Sequence, residues 1–161
     1  TFIASGGRVV LLGEHSCAGA NFGRATQNDL LGRLGVSISI NASCLGDGVT
    51  PTAHKAAGLP GPYNSEFMPM TVQMDLCGDL TVTTTEGAFA LYELDTLNYN
   101  GEDVIAADKP HVPNTPPATT STGSDVIVIA DRNLLANEFI GTGAYPENDS
   151  FALNLISYPT P

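Results

Sequence analysis

Glu14, His15, Ser16 and Cys17 stand in a row after the apolar stretch RVVLLG, and Asp131, Arg132 and Asn133 end a second apolar stretch, DVIVIA. Three chemistries are open to such a set. In a nucleophilic hydrolase, Cys17 or Ser16 would attack, His15 would take the proton and Asp131 would orient the imidazole. Two features count against it. Adjacent His15 and Ser16 do not readily meet as base and nucleophile, and Ser16-Cys17-Ala18 lacks the flanking glycines of a nucleophile elbow. In a metal site, Glu14, His15 and Asp131 would supply one imidazole and two carboxylates to a divalent cation. His54 and His111 could add ligands, but nothing in the sequence brings them near. In a ligand rim without catalysis, Glu14, His15, Ser16, Asp131, Arg132 and Asn133 would line a binding surface. A purely structural alternative has Glu14 capping the next helix and His15 bonding across to Asp131.

All three require the two apolar stretches to lie side by side and point the same way. Each is a continuous hydrophobic run, the pattern of a strand covered on both faces. In open α/β sheets ligands bind beyond the carboxyl ends of such strands, near a topological switch point. After the first run, Asn21 is the expected N-cap of a helix from about 22 to 34, with Phe22, Leu30, Leu31 and Leu34 on one side and Gly35 ending it. VSISI, residues 36–40, alternates as a half-exposed or edge strand does. Strand, helix and strand make a βαβ unit, which closes onto a parallel sheet.

The remaining elements follow from composition. TFIASGG reads as the last turn of a helix or as a short N-terminal turn, stopped by Gly6-Gly7. Residues 41–69 are rich in Gly, Pro, Ser and Asn and read as a long connection. MTVQMDL, LTVTTTE and FALYEL, within 70–94, read as antiparallel strands, the Gly87-Ala88 step joining two of them. Residues 110–124 are a low-complexity loop, and a helix from about 149 to 157 turns Phe151, Leu155 and Ile156 inward. The expected fold is therefore α/β: a flavodoxin-like three-layer sandwich with a mostly parallel sheet and an added antiparallel β region at about 70–94.

Composition narrows the partners. The chain has 161 residues, enough for one domain spanning 1–161 with a sizeable core. Its 17 Asp and Glu against 6 Lys and Arg leave a formal charge of −11. Phosphate neutralisation needs a basic face, so nucleic acid is not an expected partner. No stretch reaches the roughly 18–20 apolar residues of a membrane span. Few Lys and many Thr, Ser, Asn, Gly and Pro suit an extracellular or cell-surface protein. In that setting Cys44 and Cys77 could pair and leave Cys17 free; otherwise all three cysteines are buried thiols. Asn41-Ala42-Ser43 and Asn148-Asp149-Ser150 match the glycosylation acceptor pattern. A chain starting at Thr1 is expected to be a processed or excised part of a longer one.

The motifs GGRVVLLGEHS, NDLLGRLGVSISI, VIVIADRNLL and NDSFALNLI resemble the class I glutamine amidotransferase-like superfamily. The nearest branches are the trehalose-utilisation-like and gliding-associated-transport-like ones. The resemblance covers residues 2–40 and 125–157 well and the middle only in outline. It implies the flavodoxin-like sandwich, with further βα units expected before Gly6. It does not imply amide transfer, because Cys17 is not at the position of the family's Gly-x-Cys-x-Gly nucleophile. Members of these branches often serve as non-catalytic domains of envelope or secreted proteins. The expected function is thus a non-catalytic binding or structural module of an exported protein. It would associate with a protein partner or with itself, completing its sheet, and needs no cofactor. The alternative is a hydrolase, with or without a divalent metal, centred on His15, Glu14 and Asp131.

Overall fold

The computed structural model describes residues 7–13, 15–17, 23–46, 50–59, 61–64, 68–108, 125–136 and 138–157. Eight strands and three helices follow one another: β1 (Arg8–Leu12), α1 (Arg24–Arg33), β2 (Ile38–Ile40), β3 (Thr52–Lys55), β4 (Thr71–Gln73), β5 (Leu80–Val82), β6 (Phe89–Leu94), α2 (Thr96–Tyr99), β7 (Asp103–Asp108), β8 (Asp125–Ile129) and α3 (Pro146–Ser157). Six strands form one sheet in the order β1-β8-β7-β6-β3-β4, and β2 pairs with β5 in a second, two-stranded sheet.

The expected mostly parallel, flavodoxin-like α/β sandwich is not what forms. Among the described residues only β1 and β8 run parallel, and every other strand pair is antiparallel. The six-stranded sheet curls into a half-barrel with few helices. The reason lies in what an apolar run reports. Side chains of β8 alternate between two cores: Ile127 and Ile129 face one with Phe151 and Leu155 of α3, while Val126 and Val128 face another with Leu31 of α1 and the inner residues of β2 and β5. The run records burial on both faces and is silent on strand direction. The βαβ unit fails for a related reason. β2 leaves the sheet that holds β1 and covers it, pairing Ile38 with Val82 and Ile40 with Leu80.

The strands expected within 70–94 are present, but they do not pair with one another. β4 joins β3, β5 joins β2, and β6 lies between β3 and β7. Two strands, β3 and β7, were not expected; β3 lies inside the stretch read as connection. Helix ends also shift. Among the described residues α1 begins at Arg24 behind Gly23, whose φ of 80° suits glycine, and Leu30 is 42% exposed. α3 begins earlier than expected, with Pro146 in its first position, and Ile156 points outward at 84% exposure. The expected N-terminal turn, Asn21, Phe22 and the 110–124 loop lie outside the described residues.

One ion pair anchors the parallel pair. Arg8 and Asp125 are register partners at the starts of β1 and β8. The Arg8 Nε donates to both carboxylate oxygens at 2.8 and 2.9 Å, and its Nη1 donates to the Leu155 carbonyl of α3 at 3.1 Å. The Tyr63 hydroxyl, in the 3-10 turn Gly61–Asn64, donates to the same carboxylate. Burial works against the Arg8 charge, but the hydrogen bonds and charge of Asp125 outweigh it and raise the guanidinium pKa. Burial, then the bond to Asp125, pushes the Tyr63 phenol up.

Removing one partner would strand the other in a dry site. Asp125→Ala should therefore cost about 3–5 kcal/mol in urea unfolding at pH 7. The triple change Arg8→Met, Asp125→Leu, Tyr63→Phe should recover most of that loss.

Candidate functional site

Leu12 and Ile129 are partners at the ends of the parallel pair, so the residues that follow them emerge side by side. Gly13 continues the ladder, its N–H donating to the Ile129 carbonyl at 2.7 Å. A Cβ at Gly13 would come within 3.0 Å of the Ile40 side chain and 3.1 Å of the Ile129 oxygen, so a larger residue would need its neighbours to shift by a few tenths of an ångström. Beyond it lies the polar rim the sequence singled out.

The rim side chains are largely occupied in building it. His15 is half-buried, and its Nδ1 accepts the Cys17 N–H at 3.0 Å. The Ser16 N–H donates to the Ser43 carbonyl at 2.6 Å, and Arg24 at the start of α1 donates to the Ser16 hydroxyl. Cys17 is bonded to Cys44, 27 positions away. The Cys44–Cys77 pairing is therefore corrected: Cys77 is the free, buried thiol. Burial, then the charge of Asp131, pushes the Cys77 pKa upward, which leaves it a poor nucleophile.

Asp131 is wholly buried. One oxygen accepts the Asn133 N–H at 2.8 Å and caps the 3-10 turn Arg132–Leu135; the other accepts the Asp75 N–H at 2.7 Å. Asn133 donates to the Asp75 carboxylate at 3.0 Å, and Arg132 is exposed. Further bonds lace these turns to the other loops at this end. Gly78 donates to the Ala130 carbonyl, Leu45 and Cys77 exchange backbone bonds, and Asp79 donates to the Ser43 hydroxyl. His15, Ser16 and Cys17 thus gather around Ser43 and Arg24, while Asp131 and Asn133 gather around Asp75. Glu14 lies outside the described residues. Among the described residues no group of three or more His, Cys, Asp or Glu is arranged to hold a metal ion.

Both glycosylation triplets hold structural amides. Asn148 is fully buried and bonds both backbone groups of Gln73 on β4, at 2.8 and 2.9 Å. Asn41 donates to Asp79 and accepts from Thr81.

A second candidate surface lies along β1, which among the described residues is an edge strand. In a parallel ladder alternate residues turn both backbone groups to the neighbour. The Gly13–Ile129 bond sets the phase, so Val9 and Leu11 face β8 while Arg8, Val10 and Leu12 direct N–H and C=O outward. Beside this edge runs an apolar groove of about 300 Å³ lined by Val10, Leu12, Leu135, Ile140, Leu155 and Ile156. It continues into a hollow of about 570 Å³ between Ile140, Asp149 and Leu153. Leu153 and Ile156 are 65% and 84% exposed.

Sequence reasoning missed the Arg8–Asp125 pair and this groove. A signal for the pair was present: opposite charges stand at the same place in front of two matching apolar runs, RVVLL and DVIVI. It also missed an acidic step at Asp103, which faces Glu93 across β6 and β7. Burial raises the Asp103 pKa to about 6, with the charges of Glu93, Glu102 and Asp79 adding to it.

No family model and no curated protein matches the chain. Among solved structures it is similar to one described as the mmIFT52 N-terminal domain, with a TM-score of 0.62 and 13% identity over 99% of this chain and 68% of that one. At that identity the likeness speaks for the fold alone.

Two outcomes follow. The double variant Cys17→Ser, Cys44→Ser should lose about 3 kcal/mol of stability. A reducing agent should weaken the parent in urea unfolding to the same extent and leave the variant unchanged. For Asp103, a raised carboxyl pKa means the folded chain holds the proton more tightly than the unfolded one. Its stabilising contribution is complete below about pH 4 and is lost as pH rises through about 6. Asp103→Asn should therefore raise stability at pH 7 by about 1 kcal/mol, a figure discounted for the half-exposed side chain. It should also flatten the melting-temperature profile between pH 4 and 7.

Proposed function

We propose that this chain is a non-catalytic binding or structural module of an exported or cell-surface protein, completing its sheet with a partner chain along the outer edge of β1. The observation that carries the reading is that edge. Among the described residues no strand covers it, and an apolar groove runs beside it. Unpaired strand edges are templates for strand addition, with main-chain bonds giving affinity and adjoining pockets giving selectivity.

The disulfide between Cys17 and Cys44 supports an oxidising compartment, and the low Lys content suits an exported protein. Among the described residues no helix is long and apolar enough to cross a membrane. The hydrolase reading has less behind it. Cys17 is held in a disulfide, and Asp131 spends both oxygens on backbone N–H groups. The motif likeness to the class I glutamine amidotransferase-like superfamily is proposed as kinship without its activity, since no Gly-x-Cys-x-Gly elbow is present.

Amide hydrogen exchange on the isolated chain at low micromolar concentration tests the reading. The Val10 and Leu12 amides should exchange at least tenfold faster than those of Val9 and Leu11, and should slow in the protein purified with its natural assembly. Equal protection of all four in the isolated chain would mean the edge is already filled, and the proposal would fail.

A further inference from the structure

The two edges of the six-stranded sheet are finished differently. At β4, the Asn148 amide meets both backbone groups of Gln73. At β1, the Gln27 Nε2 of α1 donates to the Leu12 carbonyl at 2.9 Å. The other end of that amide is not used. The Gln27 Oε1 is buried and has no hydrogen-bond partner. Rotating the amide would set oxygen against the Leu12 carbonyl, so the unpaired acceptor belongs to this conformation. A buried acceptor without a donor is costly, and a side chain held this way is easily displaced. Its Nε2 stands where the N–H of an added strand would donate.

Charge around the groove selects the strand. Asp149 lines the hollow that continues it, and Glu138 and Glu147 are exposed two positions before the lining residues Ile140 and Asp149. Of the described cations, Arg8 is paired with Asp125 and Arg33 with Asp29, while Arg24 keeps its charge beside the neutral Ser16 hydroxyl, toward the rim end. Arg132 sits at the start of the turn that supplies Leu135, at the rim end. With a chain charge of −11, a second copy would meet like charge along this face, whereas a cationic segment would meet opposite charge.

We infer that the occupant of the β1 edge is an extended, basic segment of a partner protein, its alternate apolar side chains in the groove, and that Gln27 holds its place at Leu12 until it binds. This rests on the reading of β1 as an open edge.

The probe is an end-capped ten-residue peptide of alternating Lys and Val, titrated into the full 161-residue chain and followed by calorimetry and by the Val10 and Leu12 amide signals. Three comparison peptides accompany it: one with Glu for Lys, and two with N-methylation at either set of alternate residues. The Lys peptide should shift and protect both amides, and the Glu peptide should bind at least tenfold more weakly. Methylation on one edge of the peptide should abolish binding, and on the other should spare it. Gln27→Ala should tighten binding several-fold, and Ile156→Asp should weaken it at least tenfold with no change in melting temperature. Equal binding of the Lys and Glu peptides, indifference to methylation, or no gain from Gln27→Ala would overturn the inference. So would sedimentation showing that the chain dimerises through β1, which would make a second copy the occupant. If Val10 and Leu12 exchange freely in the isolated chain yet the Lys peptide fails, this inference falls alone; if they are protected there, the reading beneath it falls as well.

Discussion

The contact between Arg8 and Asp125 joins residues 117 positions apart. It does so where, among the described residues, the sheet runs parallel. A parallel pair cannot be set by a tight turn, so its register must come from the strands themselves. A slip by one residue would move each charge away from its partner inside a nearly closed site, a costly outcome. The pair therefore earns its place through register more than through net stability. Its other bonds extend the effect. The Leu155 carbonyl ties α3 to the start of β1, and the Tyr63 hydroxyl ties the 3-10 turn to the start of β8. With the strands held at this end, Gly13 must cross beside Ile129 at the other, and the polar rim follows.

That rim behaves as a belt. The loops after β1, β2, β4 and β8 meet there, and Cys17, Asp131 and Asn133, three of the side chains that suggested chemistry, each carry a bond from one loop to another. Asp131 is the plainest case. A buried carboxylate with both oxygens accepting backbone N–H groups acts as a fastener between the β4–β5 connection and the turn after β8. The disulfide adds a covalent link from the loop after β1 to the loop after β2. The same rule explains why Asn148 became an interior amide: a buried amide must find partners, and the edge backbone of Gln73 supplies them.

Function is argued from the part of the molecule that lacks such closure. β7 and β8 are covered on both faces, and β4 is finished by Asn148. β1 combines outward backbone groups, a side-chain cap from Gln27 and an apolar groove beside α3. Soluble proteins usually blunt such edges with charge, proline or a covering element. Here Asp149 lines the hollow beside that edge and leaves it open to a complementary strand.

Local pattern carried a definite part of this. The two long apolar runs, the helices near 24–33 and 146–157 and the strands at 71–73, 80–82 and 89–94 were legible because each follows from periodicity within a few residues. The side-by-side, parallel approach of 8–12 and 125–129 was the condition on which the sequence reading rested, and β1 and β8 meet it. Tertiary structure alone decided strand direction, the exile of β2 to a second sheet, and the strands β3 and β7. TAHK carries too little apolar pattern to announce itself, and a two-face apolar run is the same whether its neighbour runs with it or against it. It decided the sites too. Whether Cys17 meets Cys44, whether Asp131 faces solvent or backbone, and which strand is left at the edge depend on residues distant in the chain, and such proximity is a property of the packed whole.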